Sequence, residues 1–221
     1  MIVAIDGPAA SGKSTVAKAV ARRLGFRHLD TGAMYRAVAW LALERGIDPD
    51  DAPVVSTLAN AYPVSFEYAG DAVVYTAVFI DGHNVTEAIR RPEVDASVSA
   101  VARIPEVRTA LVARQRLLAG SVDSVVEGRD IGSVVFPDAD VKVFLTASAE
   151  ERARRRQIDL SGAGHSVDTE EVRRRLERRD HLDSTREASP AVRADDAELL
   201  DTTGLSVDEV VDVIAARVGE L

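Results

Sequence analysis

Eight residues near the N-terminus, Gly7-Pro8-Ala9-Ala10-Ser11-Gly12-Lys13-Ser14, match the spacing G-x-x-x-x-G-K-[ST]. That spacing makes a phosphate-binding loop, in which backbone N–H groups and a helix N-terminus form a nest for an anion. Lys13 adds a point charge near the β- and γ-phosphates, and Ser14 offers a hydroxyl to Mg²⁺. The donor-phosphate set is read as Gly7 to Ser14 with Thr15, and the ion expected beside the bound triphosphate is Mg²⁺. Its setting supports the match. Ile2-Val3-Ala4-Ile5 reads as a buried strand, and Val16, Val20 and Leu24 recur every four residues, as in a helix.

A bound triphosphate needs an acceptor, and four later groups bear on it. Asp30-Thr31-Gly32-Ala33-Met34-Tyr35-Arg36 follows a short strand, where ligands bind in open α/β sheets. Thr31 could donate there and Arg36 would project one turn in; the plain alternative is an ordinary helix cap with a surface arginine. Glu127-Gly128-Arg129-Asp130-Ile131-Gly132 also follows a buried strand, and Arg129 could fork onto phosphate oxygens. Its alternative is a tight turn with a local Arg–Asp pair. Arg152, Arg155 and Arg156 share one helix face, which suits an anion or, more plainly, a solvated face balanced by Glu150, Glu151 and Asp159. Arg179, Asp183 and Arg186 stand at i, i+4, i+7 and share a face if the helix persists, where they could clamp a second phosphate and a sugar hydroxyl; the plain alternative is a surface ion-pair ladder, worth little energetically.

The elements that must position these groups alternate. Helices are predicted after Lys13, around Met34–Leu41, at Val54–Tyr62, Pro92–Ala102 and Pro105–Leu118, and after the caps Ser148, Asp168 and Ser206. In the last of these Val207, Val210, Val211, Ile214 and Val218 form one stripe. Strands are predicted at Phe26–Leu29, Ser124–Glu127, Val141–Leu145 and Glu198–Leu200. Val64–Tyr68, Val73–Ile80 and the Asp81-Gly82 turn read as two or three antiparallel strands inserted on an α/β core. Asp159–Ser166 reads as a glycine-containing loop that, with the arginines before it, would act as a mobile lid.

Composition narrows the class. The chain has 221 residues, enough for one domain with insertions, and no cysteine, which fits a reducing cytoplasm. No signal peptide or membrane-length apolar run is visible, and a net charge of −9 argues against a broad nucleic-acid surface. Of 24 arginines, 11 fall between Glu151 and Arg193, a clustering that compositional drift does not explain. The histidines (His28, His83, His165, His181) show no ligand spacing and read as structural or surface residues; Trp40 and Phe26 read as core.

Together these residues resemble the bacterial cytidylate kinases over nearly the whole chain. The resemblance rests on the loop at 7–14, Asp-Thr-Gly-Ala-Met-Tyr-Arg at 30–36, and Glu-Gly-Arg-Asp-Ile-Gly-Ser-Val-Val-Phe-Pro at 127–137. Arg-Ala-Arg-Arg-Arg at 152–156 and Arg-Asp-x-x-Asp-Ser-Thr-Arg at 179–186 complete it. Ser133 stands where the family often has Thr, a conservative change. The resemblance implies a P-loop kinase fold of class α/β: a five-stranded parallel sheet flanked by helices, a monophosphate-binding insertion and a mobile lid. The implied division is a core of 1–39, 102–150 and 187–221, an insertion of 40–101 and a lid region of 151–186. By position Arg36, Arg129 and Arg179 would hold the acceptor's phosphate. Thr31, Ser99, Arg108, Asp130 and Arg186 would surround the cytosine, and Asp183 would reach the sugar. Lys13, Arg129, Arg152, Arg156 and Arg179 would be the catalytic cations, with Ser14 on the metal.

The reaction so implied is ATP plus CMP or dCMP giving ADP plus CDP or dCDP, in pyrimidine nucleotide metabolism. The expected partners are these small molecules alone, with no nucleic acid and no membrane, for a monomer in the cytoplasm. The nearest rival is another small P-loop kinase acting on AMP, dTMP or a hydroxylated metabolite such as shikimate. A rival of another class is a GTPase-like switch, which would need a guanine-reading N-K-x-D that this chain lacks.

Overall fold

A computed structural model describes residues 1–162, 168–186 and 189–220. Five parallel strands form the central sheet: β1 (Ile2–Asp6), β2 (Arg27–Asp30), β6 (Ser124–Glu127), β7 (Val141–Thr146) and β8 (Glu198–Asp201). Their order is β2-β6-β1-β7-β8. Strands β1 and β6 are buried on both faces, which is why they do not read as alternating, while β7 buries Val141, Val143 and Leu145 and leaves the residues between them partly exposed. Register brings Ile5 and Asp30 opposite Glu127, and Asp6 opposite Phe144, so three acidic side chains end together at the carboxyl edge.

Alternate residues feed two cores. Val3, Ile5, Val125 and Val143 meet α1 (Lys13–Leu24) and α8 (Val207–Gly219) on one face. Ala4, Leu29 and Val126 meet α2 (Thr31–Glu44) and α5 (Pro105–Ala119) on the other. The second core runs on without a break into α3 (Ala52–Ala61), α4 (Pro92–Ala102) and an antiparallel sheet of β3 (Ser65–Glu67), β4 (Ala77–Ile80) and β5 (His83–Asn84). The expected antiparallel strands are therefore present, though strand pairing before Ala77 is confined to Ser65–Glu67. Trp40 and Phe26 pack partly buried against the two cores, as expected.

Two helices, α6 (Ala149–Gly162) and α7 (Thr169–Thr185), lie over the phosphate loop. Their apolar contact is small: Ala153, Val172 and Leu176 with Ala9 of the loop. Four sequence expectations need correction. Helix α6 runs through Gly162, so residues 159–162 are helix and not loop; the rest of that predicted loop, with His165, lies outside the described residues. The N-terminal cap of α2 is Asp30, whose carboxylate accepts from the Ala33 N–H, while Thr31 is the first helical residue. Helix α7 stops at Thr185 because Arg186 is extended (φ −64°, ψ 142°), so Arg186 leaves the face of Arg179 and Asp183. Val207 is exposed at the start of α8, which buries Val210, Val211 and Ile214.

Candidate active site

The phosphate loop joins β1 to α1. Gly7 is at φ 148°, and a Cβ there would stand 2.1 Å from the Leu145 carbonyl oxygen, so only glycine fits between loop and sheet. Lys13 folds over the loop: its Nζ donates to the Pro8 carbonyl at 2.6 Å and lies 3.4 Å from Ser11 Oγ. Burial, and then the neighbouring Arg129, push the Lys13 ammonium down from 10.5 to about 7. A cation so crowded gains from any anion that joins it. Ser14 Oγ donates to Glu127 Oε2 at 2.6 Å.

Beneath the loop, the carboxyl edge of the sheet is a hydrogen-bonded floor. His28 Nε2 meets Glu127 Oε1 at 2.9 Å, and Thr31 Oγ1 donates to the Glu127 carbonyl at 2.7 Å. His28 stacks on Tyr75, whose hydroxyl donates to Asp30 Oδ2 at 3.2 Å. Asp6 accepts the N–H groups of Ile131 and Gly132, both at 2.8 Å, which fixes the turn carrying Arg129 and Asp130. Burial pushes the Asp6 carboxyl up from 3.8 to about 6, against the pull of those two N–H groups. Gly128 is needed for closeness: a Cβ would meet Ile131 Cδ1 at 2.6 Å and Thr31 Oγ1 at 2.7 Å.

The arginines arrive from four places. Arg36 on α2, Arg156 on α6 and Arg179 on α7 all face Asp95 of α4, at 3.8, 2.6 and 2.9 Å. Arg152 of α6 donates to Asp180 of α7 and to the Ala9 carbonyl at 3.2 Å. Arg129 donates to the Gly7 carbonyl and to Asp180, each at 3.2 Å, and pairs with Asp183 at 3.2 Å. Asp180 Oδ1 also accepts the Ala9 N–H at 2.9 Å. Arg155 reaches the Ser11 carbonyl at 3.2 Å and Thr202 Oγ1 at 2.9 Å. The shared face of Arg152, Arg155 and Arg156 thus fans out: two guanidiniums go to the loop and one to α4.

A second cluster lies beyond Arg129. Arg108 is buried and paired with Asp130, and Arg186 lies 3.5 Å from the other Asp130 oxygen. The Arg108 guanidinium sits 5.5 Å from the Tyr35 ring centre. Ser99 stands on α4 one turn beyond Asp95, half-buried. Each expected site residue except Arg186, which follows α7 in extended backbone, therefore lies on the loop, at the carboxyl edge of the sheet, or on a helix bordering that edge. A cleft lined by Gly7, Pro8, Arg129, Asp180 and Asp183 opens between loop and α7.

The family model for cytidylate kinase matches residues 3–220. The chain belongs to the cytidylate kinase family. A cytidylate kinase of Pelotomaculum thermopropionicum is 50% identical over 216 residues, covering 98% of this chain and 95% of that one. A cytidylate kinase of Limosilactobacillus fermentum is 54% identical over 217 residues, covering 98% and 94%. A crystal structure of an uncharacterized protein from Eubacterium ventriosum aligns over 100% of this chain and 99% of that one, with a TM-score of 0.52 and 12% identity, a likeness of fold alone.

Sequence reasoning within the family frame missed five residues. Asp6 carried no motif and shows itself only by register. Glu127 and Asp180 lay inside quoted motifs without a role. Asp95 stood in a helix with no chemical signature. His28, read as a structural or surface residue, is buried against Glu127; a lone histidine in a strand gives no sequence signal of that contact.

Proposed function

We propose that the chain transfers the γ-phosphoryl group of ATP to the phosphate of CMP, and of dCMP, giving ADP and CDP or dCDP. The observation that carries this reading is that Arg129 and Arg152 reach the Gly7–Ser14 loop while Arg36, Arg156 and Arg179 converge from three helices on Asp95. Two polyanions must meet in line, and the barrier lies in their repulsion and positioning. Lys13 and the loop N–H groups would take the donor phosphates. Arg36, Arg129 and Arg179 would take the acceptor phosphate, and Arg152 and Arg156 would cover the group in transit. Guanidinium forks suit this because each takes two oxygens at fixed geometry. The attacking atom is a phosphate oxygen, so no general base is required.

The metal reading also fits the residues present. Ser14 is exposed and its hydroxyl lies against the Glu127 carboxylate, a pair of hard oxygen donors of the kind Mg²⁺ takes. Among the described residues no cluster of three His, Cys, Asp or Glu could hold a metal alone, so the ion would be shared with nucleotide phosphates. When bound with the nucleotide, Mg²⁺ supplies charge neutralisation on the phosphate oxygens.

Base choice would fall to Arg108, Asp130 and Arg186, with Thr31 and Ser99 at the border and Asp183 on the sugar. The Asp130 carboxylate can accept from the cytosine amino group. Uracil would set a carbonyl there, leaving unpaired acceptors at a cost of about 1–3 kcal/mol. The division into core, insertion (40–101) and lid (151–186) is part of this reading. It is supported by the small apolar contact of α6 and α7, the kind of attachment that opens most easily. A cytoplasmic monomer without nucleic-acid or membrane partners completes it; no helix among the described residues is long and apolar enough to cross a membrane. Turnover with ATP and Mg²⁺ against CMP, dCMP, UMP, AMP and dTMP, read by ADP release, is the test. CMP and dCMP should lead; equal turnover of UMP would refute the base assignment.

A further inference from the structure

Each of the five arginines assigned above to substrate phosphates is already paired with Asp95 or Asp180 of this chain, Arg129 with Asp183 as well. Asp95 collects Arg36, Arg156 and Arg179, which come from three different helices. Asp180 collects Arg129 and Arg152, and it also takes the Ala9 N–H, a donor of the phosphate-binding nest itself. Asp95 thus holds two of the three acceptor-phosphate arginines, Arg36 and Arg179, together with Arg156, while Asp180, against the loop, holds Arg152 together with the third, Arg129. Burial alone would raise the Asp95 carboxyl, but Arg179, Arg36 and Arg156 hold it below its usual value.

We propose that Asp95 and Asp180 are positioning residues that stand in for the acceptor phosphate and the transferable phosphate, and that each is displaced when its nucleotide binds. A carboxylate offers two planar oxygens to a guanidinium fork, as a phosphate does. The two anions cannot hold the same N–H groups at once, and a carboxylate left beside a phosphate repels it. The stand-ins keep arginines from four elements gathered in the empty protein, where like charges would otherwise drive them apart. They also make each nucleotide compete for its site. Asp183 is distinct: it pairs with Arg129 but touches no loop N–H among the contacts seen.

The inference rests on the phosphoryl-transfer reading, and the test separates the two. CMP alone, and a non-hydrolysable ATP analogue alone, are titrated calorimetrically into the unaltered protein, Asp95→Asn and Asp180→Asn. Asp95→Asn should bind CMP about tenfold more tightly, equivalent to about 1.4 kcal/mol, with the ATP analogue little changed. Asp180→Asn should tighten the ATP analogue most and CMP less, the latter through the freed Arg129. In turnover the change should fall in the KM for the matching nucleotide, and inorganic phosphate should become a stronger competitor against CMP in Asp95→Asn. Asp95→Glu and Asp180→Glu, which restore the charge, should return towards the unaltered affinities. If an Asn variant is unfolded by circular dichroism, the corresponding Ser variant is read in its place. Unchanged or weaker CMP binding by Asp95→Asn, or a loss of affinity for both nucleotides together, would overturn the proposal. If the unaltered protein bound CMP yet made no CDP, the phosphoryl-transfer reading would fail while the binding comparison still decided the stand-ins.

Discussion

Glu127→Gln isolates the charge beneath the phosphate loop. Glu127 Oε2 takes the Ser14 hydroxyl at 2.6 Å, and Oε1 takes His28 Nε2 at 2.9 Å. Glutamine has the same shape but one acceptor oxygen. If that oxygen keeps the buried His28, the amide NH₂ faces Ser14, whose hydroxyl must turn away. A hydrogen bond to a charged group contributes about 1.5–3 kcal/mol and a neutral one about 0.5–1.5, so the exchange costs about 1–1.5 kcal/mol. For a chain of this size that lowers Tm by about 2–6 °C, leaving the protein folded. If the same energy bears on how Ser14 meets Mg²⁺ and the donor phosphates, turnover falls about tenfold. The half-saturating Mg²⁺ concentration should also rise. Thermal unfolding by circular dichroism and ADP release across a Mg²⁺ series measure the two effects. Full turnover with an unchanged Mg²⁺ response would show that Glu127 does no more than hold the floor of the site, and would refute the reasoning.

Three further outcomes follow from the same geometry. Lys13→Ala should lose nearly all turnover and remain folded, since among the described residues the Lys13 ammonium bonds within its own loop, to Pro8 and Ser11. Because the folded value of Lys13 is lowered from 10.5 to about 7, its favourable contribution is present above 10.5 and lost as pH falls through 7. The Tm of Lys13→Ala relative to the unaltered protein should therefore rise as pH falls across that window and level off below it; a difference independent of pH would contradict this. Arg129→Ala should raise the KM for CMP more than that for ATP, and a normal KM and kcat for CMP would displace Arg129 from the acceptor site. Asp6, raised from 3.8 to about 6, gives stability that is full below 3.8 and is lost as pH rises through 6. Asp6→Asn should flatten that part of the stability profile, read by denaturant unfolding at a series of pH values. It should also leave one of the Ile131 and Gly132 N–H groups without its acceptor.

The legible parts of the sequence were those whose cause is local. A β-branched run such as Val141–Leu145, a capping box such as Ser206 with Glu209, and the loop at Gly7–Ser14 each state their structure within a few residues. The central sheet could be read for that reason, and the family motifs then supplied the order of the site. Contacts across the chain were not legible. Asp95 lies 84 residues from Arg179, and Asp6 lies 126 from Gly132. Helix ends also escaped where competing signals were weak. Ser161-Gly162 looks like a breaker, yet α6 continues through it. Arg186 continues a helical pattern in sequence but turns extended, and its guanidinium lies by Asp130.

The central claim is that arginines from separate elements hold the acceptor's phosphate opposite the Gly7–Ser14 loop. A crystal structure with CMP bound tests it most directly. The CMP phosphate should lie within hydrogen-bond distance of Arg36, Arg129 and Arg179, with the cytosine against Asp130 and Arg108. A CMP whose phosphate lay in the Gly7–Ser14 loop, or whose base sat away from Asp130, would contradict it.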